Sequence, residues 1–151
     1  MHKLTQKGVL KGLNHENIDF YLLETVDSTN TFAKDKKLLK NFLIVISERQ
    51  TAGRGRHGKQ WYSPDSGNIY MTIKFKDKNN IPLSLIIGLL ISESIESVSG
   101  KKISAGLKWP NDLLINKQKV CGILVESEII NGEIEFIVGI GINYACLLYT
   151  S

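Results

Sequence analysis

Asn131-Gly132 stands between two long β-prone runs, residues 120–128 and 133–142. Both positions of a tight two-residue hairpin turn need positive φ, and Asn-Gly supplies this readily. The pair commits the last third of the chain to an antiparallel hairpin, and a hairpin needs further strands to bury its apolar face. Residues 20–26 are rich in aromatic and branched side chains, and residues 42–47 form the nearly continuous apolar run of a buried strand. Residues 68–75 alternate, which predicts a strand with Ile69, Met71, Ile73 and Phe75 on its buried face. Two short strands, 106–109 and 113–115, complete the set.

Three helices are expected. Residues 3–14 place Leu4, Val9, Leu10 and Leu13 for a short one, stopped at Asn14. Asp27-Ser28-Thr29 offers N-cap chemistry for a second, running to about Leu39 with Phe32 and Leu39 as core candidates. Pro82 opens a third, closed by Gly100, with positions 83, 86, 87, 90, 91, 95 and 98 as its apolar face. Helices early and strands late predict an α+β fold: a mixed, largely antiparallel β-sheet with helices packed on one face.

The length of 151 residues suffices for one core, and 42% hydrophobic with 23% charged residues is ordinary for a globular domain. Cys121 and Cys146 form no C-x-x-C pair and cannot build a disulfide framework, which fits a reducing cytoplasm. The first 17 residues lack the apolar core of a secretory signal, and the apolar stretch 83–91 is too short to span a bilayer. A cytoplasmic protein with no membrane partner is expected. The net charge of +4 permits an anionic ligand without demanding nucleic acid.

Residues 51–65 cannot form a regular element, since they hold three glycines, a proline and a cluster of cations, and the most informative segment is 48–61 (ERQTAGRGRHGKQW). Arg49, Arg54, Arg56 and Lys59 follow Glu48 with no further acid, and the interleaved glycines let backbone approach a ligand closely. Taken alone, the segment fits an anion-binding loop or a solvated basic loop equally well. Gly53-x-Gly55-x-x-Gly58 matches a dinucleotide fingerprint, but the residues after it are a poor helix start. The same stretch matches a phosphate-binding loop except that Gln60 stands where a hydroxyl must reach magnesium. His57 has no partners at metal-ligand spacing, and no metal site is expected. Other motifs are weaker alone. Lys108-Trp109-Pro110-Asn111-Asp112 fits an ordinary turn as well as a site, Lys119 a solvated edge, and Ser28-Thr29-Asn30 a helix cap.

Taken in order, these pieces resemble the catalytic domain of biotin–protein ligases. The likeness runs through Val26-Asp27-Ser28-Thr29-Asn30, residues 48–61, Gly67-Asn68-Ile69-Tyr70, residues 108–113, residues 119–126 and Gly139-Ile140-Gly141-Ile142-Asn143, within a domain spanning 20–143. It implies ATP-dependent activation of biotin to biotinyl-5′-adenylate. Transfer to one lysine of the biotin carboxyl carrier protein of acetyl-CoA carboxylase or a related carboxylase follows. By the same resemblance Ser28, Thr29, Asn30, Gln50, Arg54, Gly55, Arg56 and Lys119 contact biotin, with Arg56 and Lys119 catalytic. Arg54, Arg56, Trp61, Lys108, Asn111 and Asp112 contact ATP, which brings Mg2+. Lipoate ligases and octanoyltransferases share the fold, but their Arg-Arg-x-Ser-Gly-Gly-Gly type of loop is absent. A biotin-sensing module without turnover is the non-enzyme alternative.

The ends depart from this pattern. Residues 1–19 resemble a leader or the linker helix that follows a DNA-binding winged helix in bifunctional members, and DNA is a partner only with such a domain. A homodimer through a sheet edge is also within the resemblance. The family pattern continues beyond Asn143 into a helix and a small β-barrel, whereas this sequence goes on into a tail, 144–151, of which Cys146–Ser151 resembles adapter-derived sequence, so an incomplete catalytic domain is expected.

Overall fold

The Asn131-Gly132 turn forms with φ of 53° and 81°, as the sequence requires. It joins two long antiparallel strands, β6 (Gln118–Ile130) and β7 (Glu133–Ile142), in unbroken register from Ile130↔Glu133 to Cys121↔Ile142. The protein, described here by a computed structural model covering residues 5–13, 15–64 and 67–143, builds one seven-stranded sheet around this pair. The other strands are β1 (Ile18–Val26), β2 (Phe42–Gln50), β3 (Ile69–Asp77), β4 (Gly106–Lys108) and β5 (Asp112–Ile115). Their order is β1-β2-β3-β7-β6-β5-β4, with β1 and β2 parallel and the other neighbours antiparallel. The mixed, largely antiparallel α+β sheet is therefore as expected.

The parallel pair needs a crossover, and α2 (Thr29–Asp35) provides it with Ser28 as N-cap. Sequence predicts this helix to about Leu39; it ends earlier because a buried lysine takes its last carbonyls. Lys74 Nζ, reaching up from β3, donates to the carbonyls of Ala33 (3.1 Å), Lys34 (3.3 Å) and Lys36 (2.7 Å). It also pairs with the buried Glu135 at 2.8 Å. Leu39 is consequently 74% exposed and outside the core, while Leu38 and Phe32 pack there. The first helix is likewise shorter than expected: α1 spans Gln6–Leu10, capped by the Thr5 hydroxyl, and Leu4 and Asn14 lie outside the described residues.

The helices occupy opposite faces of the sheet rather than one. Ala33 of α2 packs with Leu43, Val45 and Ile137. On the other side α3 (Leu83–Val98) sets Leu83 and Ile95 against Ile123, Val138 and Ile140. Ile137 and Val138 are strand neighbours, and neighbours point to opposite faces. This explains β3, where the expected apolar set Met71, Ile73 and Phe75 is only partly buried under α3. Tyr70, Thr72 and Lys74, the alternate set, are more deeply buried beneath α2 and its surroundings. In α3 the inward row is Leu83, Ile87, Ile91 and Ile95 at four-residue steps. Ile86, Leu90 and Val98, expected on the same face, are exposed. Gly88 lets this helix lie close to β4, since a Cβ there would come within 2.5 Å of the Leu107 side chain. Among the described residues no helix is long and apolar enough to cross a membrane.

Lys74→Met strands the Glu135 charge in the interior and should destabilise the protein by about 3–5 kcal/mol in urea unfolding. Lys74→Met with Glu135→Leu should cost less than the single change, which identifies the uncompensated carboxylate as the source. Cys121 is buried beneath α3, and burial pushes its thiol pKa up to about 12, with Asp112 adding in the same direction. In a Cys146→Ser background, iodoacetamide at pH 8 should therefore label Cys121 only after unfolding, followed by mass spectrometry.

Candidate active site

The face of the sheet that carries α2 is interrupted at its centre by positions without side chains. Gly122 and Gly141 pair across β6 and β7, and Gly139 lies two residues along. Each gap is filled by a neighbour. A Cβ on Gly122 or Gly141 would come within 2.6 Å of the Trp61 ring, and one on Gly139 within 2.3 Å of Asn30 Oδ1. Above this floor is a cavity of about 270 Å³. Ser28, Thr29 and Asn30 at the start of α2 form one wall, and residues 54–57 and 59–61 of the loop form another.

Buried polar groups hold the α2 wall in place. Gln50 Oε1, at the end of β2, accepts from the Thr29 amide (2.8 Å) and hydroxyl (3.1 Å). Gln50 Nε2 donates to Ser63 Oγ at 2.8 Å. Thr72 Oγ1 lies 2.6 Å from Asn30 Oδ1 and 2.8 Å from Thr29 Oγ1. Asn30 Nδ2 donates to Glu126 at 2.9 Å. Ser28, Thr29 and Asn30 are each at most 3% exposed, so this end of the cavity is rigid, neutral and rich in hydrogen-bonding atoms.

The loop wall is cationic. Thr51 and Ala52 donate their amides to the carbonyls of Val26 and Asp27, tying the loop's start to the end of β1. Gly53 packs against the Trp61 carbonyl where any side chain would clash, and its own carbonyl accepts from the Trp61 amide at 2.8 Å. His57 (φ 55°) and Gly58 (φ 72°) make the tight turn that returns the chain. Arg54 pairs with Glu126 at 2.5 Å, and Arg56 donates to Asn111 Oδ1 at 3.2 Å. Asn111 Nδ2 is anchored on the Ile123 carbonyl at 2.9 Å. On β6, Lys119 Nζ lies 2.7 Å from Asp112 Oδ1 and 5.0 Å from the Trp61 ring centroid. Trp61 Nε1 is buried without a hydrogen-bond partner among the described residues.

Of the residues singled out from sequence, Ser28, Thr29, Asn30, Gln50, Arg54, Gly55, Arg56, Trp61, Asn111, Asp112 and Lys119 all line this one cavity. They come from chain segments up to about 90 residues apart, and their convergence is the decisive geometric fact. Lys108 is not among the lining residues; it lies on β4, whose residues are all exposed. A model of the biotin/lipoate A/B protein ligase family matches residues 22–143.

The chain belongs to that family. Its relatives include the bifunctional ligase/repressor BirA of Escherichia coli, 37% identical over 130 residues, covering 82% of this chain and 40% of the relative. The biotin–[acetyl-CoA-carboxylase] ligase of Paracoccus denitrificans is 35% identical over 130 residues, covering 82% of this chain and 54% of the relative. Among solved structures, the biotin protein ligase of Aquifex aeolicus in complex with biotin and ATP aligns with a TM-score of 0.67. It is 35% identical, over 83% of this chain and 52% of that one. The chain thus spans about half the length of the family members it matches.

Sequence reasoning overlooked Thr72, Ser63 and Glu126, which orient the wall residues without lining the cavity. No sequence signal marks these three; the glycines inside β6 and β7 mark instead the close approach of Trp61 and Asn30 to the sheet. Gly141→Ala should lift the Trp61 ring off the sheet, at a cost of about 1–3 kcal/mol in stability. With Trp109→Phe removing the exposed indole, the remaining tryptophan emission should shift to the red.

Proposed function

We propose that this site activates biotin with ATP to biotinyl-5′-adenylate and transfers the biotinyl group to one lysine of a biotin carboxyl carrier domain. Acetyl-CoA carboxylase or a related carboxylase would carry that domain. The observation that supports this is the polarity of the cavity, uncharged and buried where Ser28, Thr29 and Asn30 line it and cationic where Arg56, Lys59 and Lys119 line it. Biotin has the same asymmetry, with a neutral ureido ring at one end and a carboxylate at the other.

At the neutral end, spare capacity matches a ureido group. Among the described residues the Ser28 hydroxyl accepts a single long contact, from the Thr31 amide at 3.5 Å, which leaves its proton for the ring carbonyl. Asn30 Oδ1 and Thr29 Oγ1 retain acceptor capacity for the ring N–H groups. At the cationic end, a biotin carboxylate oxygen attacks the α-phosphorus of ATP. The P–O bond to the β-phosphate breaks and pyrophosphate leaves. A lysine amine of the carrier then attacks the acyl carbon, loses its proton, and AMP departs. Both reacting partners of the first step are anions, and fixed cations in a partly closed site offset their repulsion and stabilise the charge that builds up. Trp61 and Asn111 would hold the adenine, with the Trp61 Nε1 proton satisfied by a ligand acceptor.

Among the described residues no group of three His, Cys, Asp or Glu could hold a metal. Mg2+ would come with the nucleotide, held mostly by phosphate oxygens and water, and Asp112 is a carboxylate on the cavity wall that could face it. The reading also puts the protein in the cytoplasm.

The test is ATP–pyrophosphate exchange by this chain with biotin, with lipoate and with neither. Exchange that requires biotin is expected, and Lys119→Met should slow it by about 100–1,000-fold without loss of the fold. Exchange with lipoate instead, or none with either acid from a cooperatively folded chain, would overturn the proposal.

A further inference from the structure

Glu126 does not line the cavity, yet it touches both walls. Its Oε2 accepts from Asn30 Nδ2 at 2.9 Å, and its Oε1 pairs with Arg54 Nη2 at 2.5 Å. The carboxylate projects from β6 on the α2 side of the sheet, in register with Ile137. Two residues further on, Glu128 pairs with Lys34 at 2.6 Å. The two contacts match in spacing: two residues of strand advance about 6.6 Å and four residues of helix about 6 Å. β6 therefore grips α2 at two successive points, and only the one at Asn30 continues into the arginine loop.

Asn30 is held from every side. Thr72 fixes its Oδ1, Glu126 its Nδ2, and the bare backbone of Gly139 leaves room for the amide. Arg54 is different: its side chain is 44% exposed, and Glu126 is the ion partner that draws it back over the cavity. One carboxylate thus joins the buried wall to an exposed cation of the other.

We infer that Glu126 is a positioning residue that fastens Arg54 to the Asn30 side of the site, so that the loop's first cation is set before an anion arrives. This rests on the functional reading above for its substrate, and on the Glu126 contacts alone for its mechanics. Its consequence runs against simple electrostatics. Glu126→Gln removes a negative charge beside a site for anions, which by itself would tighten their binding. If Glu126 positions Arg54, the same change weakens binding instead.

Two measurements decide it. In ligand-free protein, trypsin should cut after Arg54 several-fold faster in Glu126→Gln than in the unaltered chain, at equal thermal stability. In pyrophosphate exchange, the KM for biotin should rise about tenfold with a much smaller change in kcat, the size expected for losing a hydrogen bond to a charged group. A lower or unchanged biotin KM, or equal cleavage rates, would overturn the inference. Arg54→Gln approaches the contact from its exposed side and should accelerate cleavage after Arg56, which tests the pairing even where the Glu126 variant fails to fold. Absence of exchange by the unaltered chain would count against the functional reading, while the cleavage rates would still judge Glu126.

Discussion

The closeness with which α2 and the arginine loop approach the sheet depends on backbone that carries no side chains. Sheets usually hold helices about 10 Å away because both surfaces are covered in side chains. At Gly122, Gly139 and Gly141 that cover is missing, and Asn30 and the Trp61 ring settle almost onto the peptide plane. The neutral wall, the indole and the cavity between them follow from this. Apolar side chains at these positions would bury more surface and close the site.

The cost of inserting polar groups so deeply is met by giving the side chains of the α2 wall partners within the fold. A buried amide or hydroxyl without a partner costs about 1–3 kcal/mol, and Thr29, Asn30, Gln50, Ser63 and Thr72 each find a partner among one another. Lys74 and Glu135 apply the same rule at the far end of α2, where a buried ion pair both balances charge and ends the helix. The short crossover helix is thus fixed at both ends by polar contacts, with Ala33 and Phe32 supplying its apolar grip. Such over-determination suits a wall meant to keep its shape.

Local sequence signals proved legible wherever the physics is local. Asn131-Gly132 specified its hairpin, Pro82 and Gly100 bounded α3, and from Thr51 the glycine–arginine segment runs as a loop whose one helical turn is the short 3-10 turn Arg56–Gly58. What was not legible depends on partners distant in sequence. Nothing near Leu39 reveals that Lys74 will end α2 early, and nothing in the β3 alternation shows that its polar face is the more deeply buried one. Opposite-face placement of the helices is likewise a property of the assembled sheet. For the site, motifs quoted in order located nearly every lining residue, because those residues meet the ligand cavity directly. Glu126 and Thr72 act through other side chains, so their importance lies in geometry that the linear pattern does not carry.

The parallel orientation of β1 and β2 has a consequence for chain traffic. Both strands are nine residues long and run in step from Ile18↔Phe42 to Val26↔Gln50. The chain therefore leaves the sheet twice at the same end, once into Ser28-Thr29-Asn30 and once into the arginine loop. Had the pair been antiparallel, these exits would stand about 30 Å apart, a full strand length. Two segments that are remote in sequence would then face opposite rims of the molecule. The seven-residue crossover helix is what turns two separate exits into one gateway.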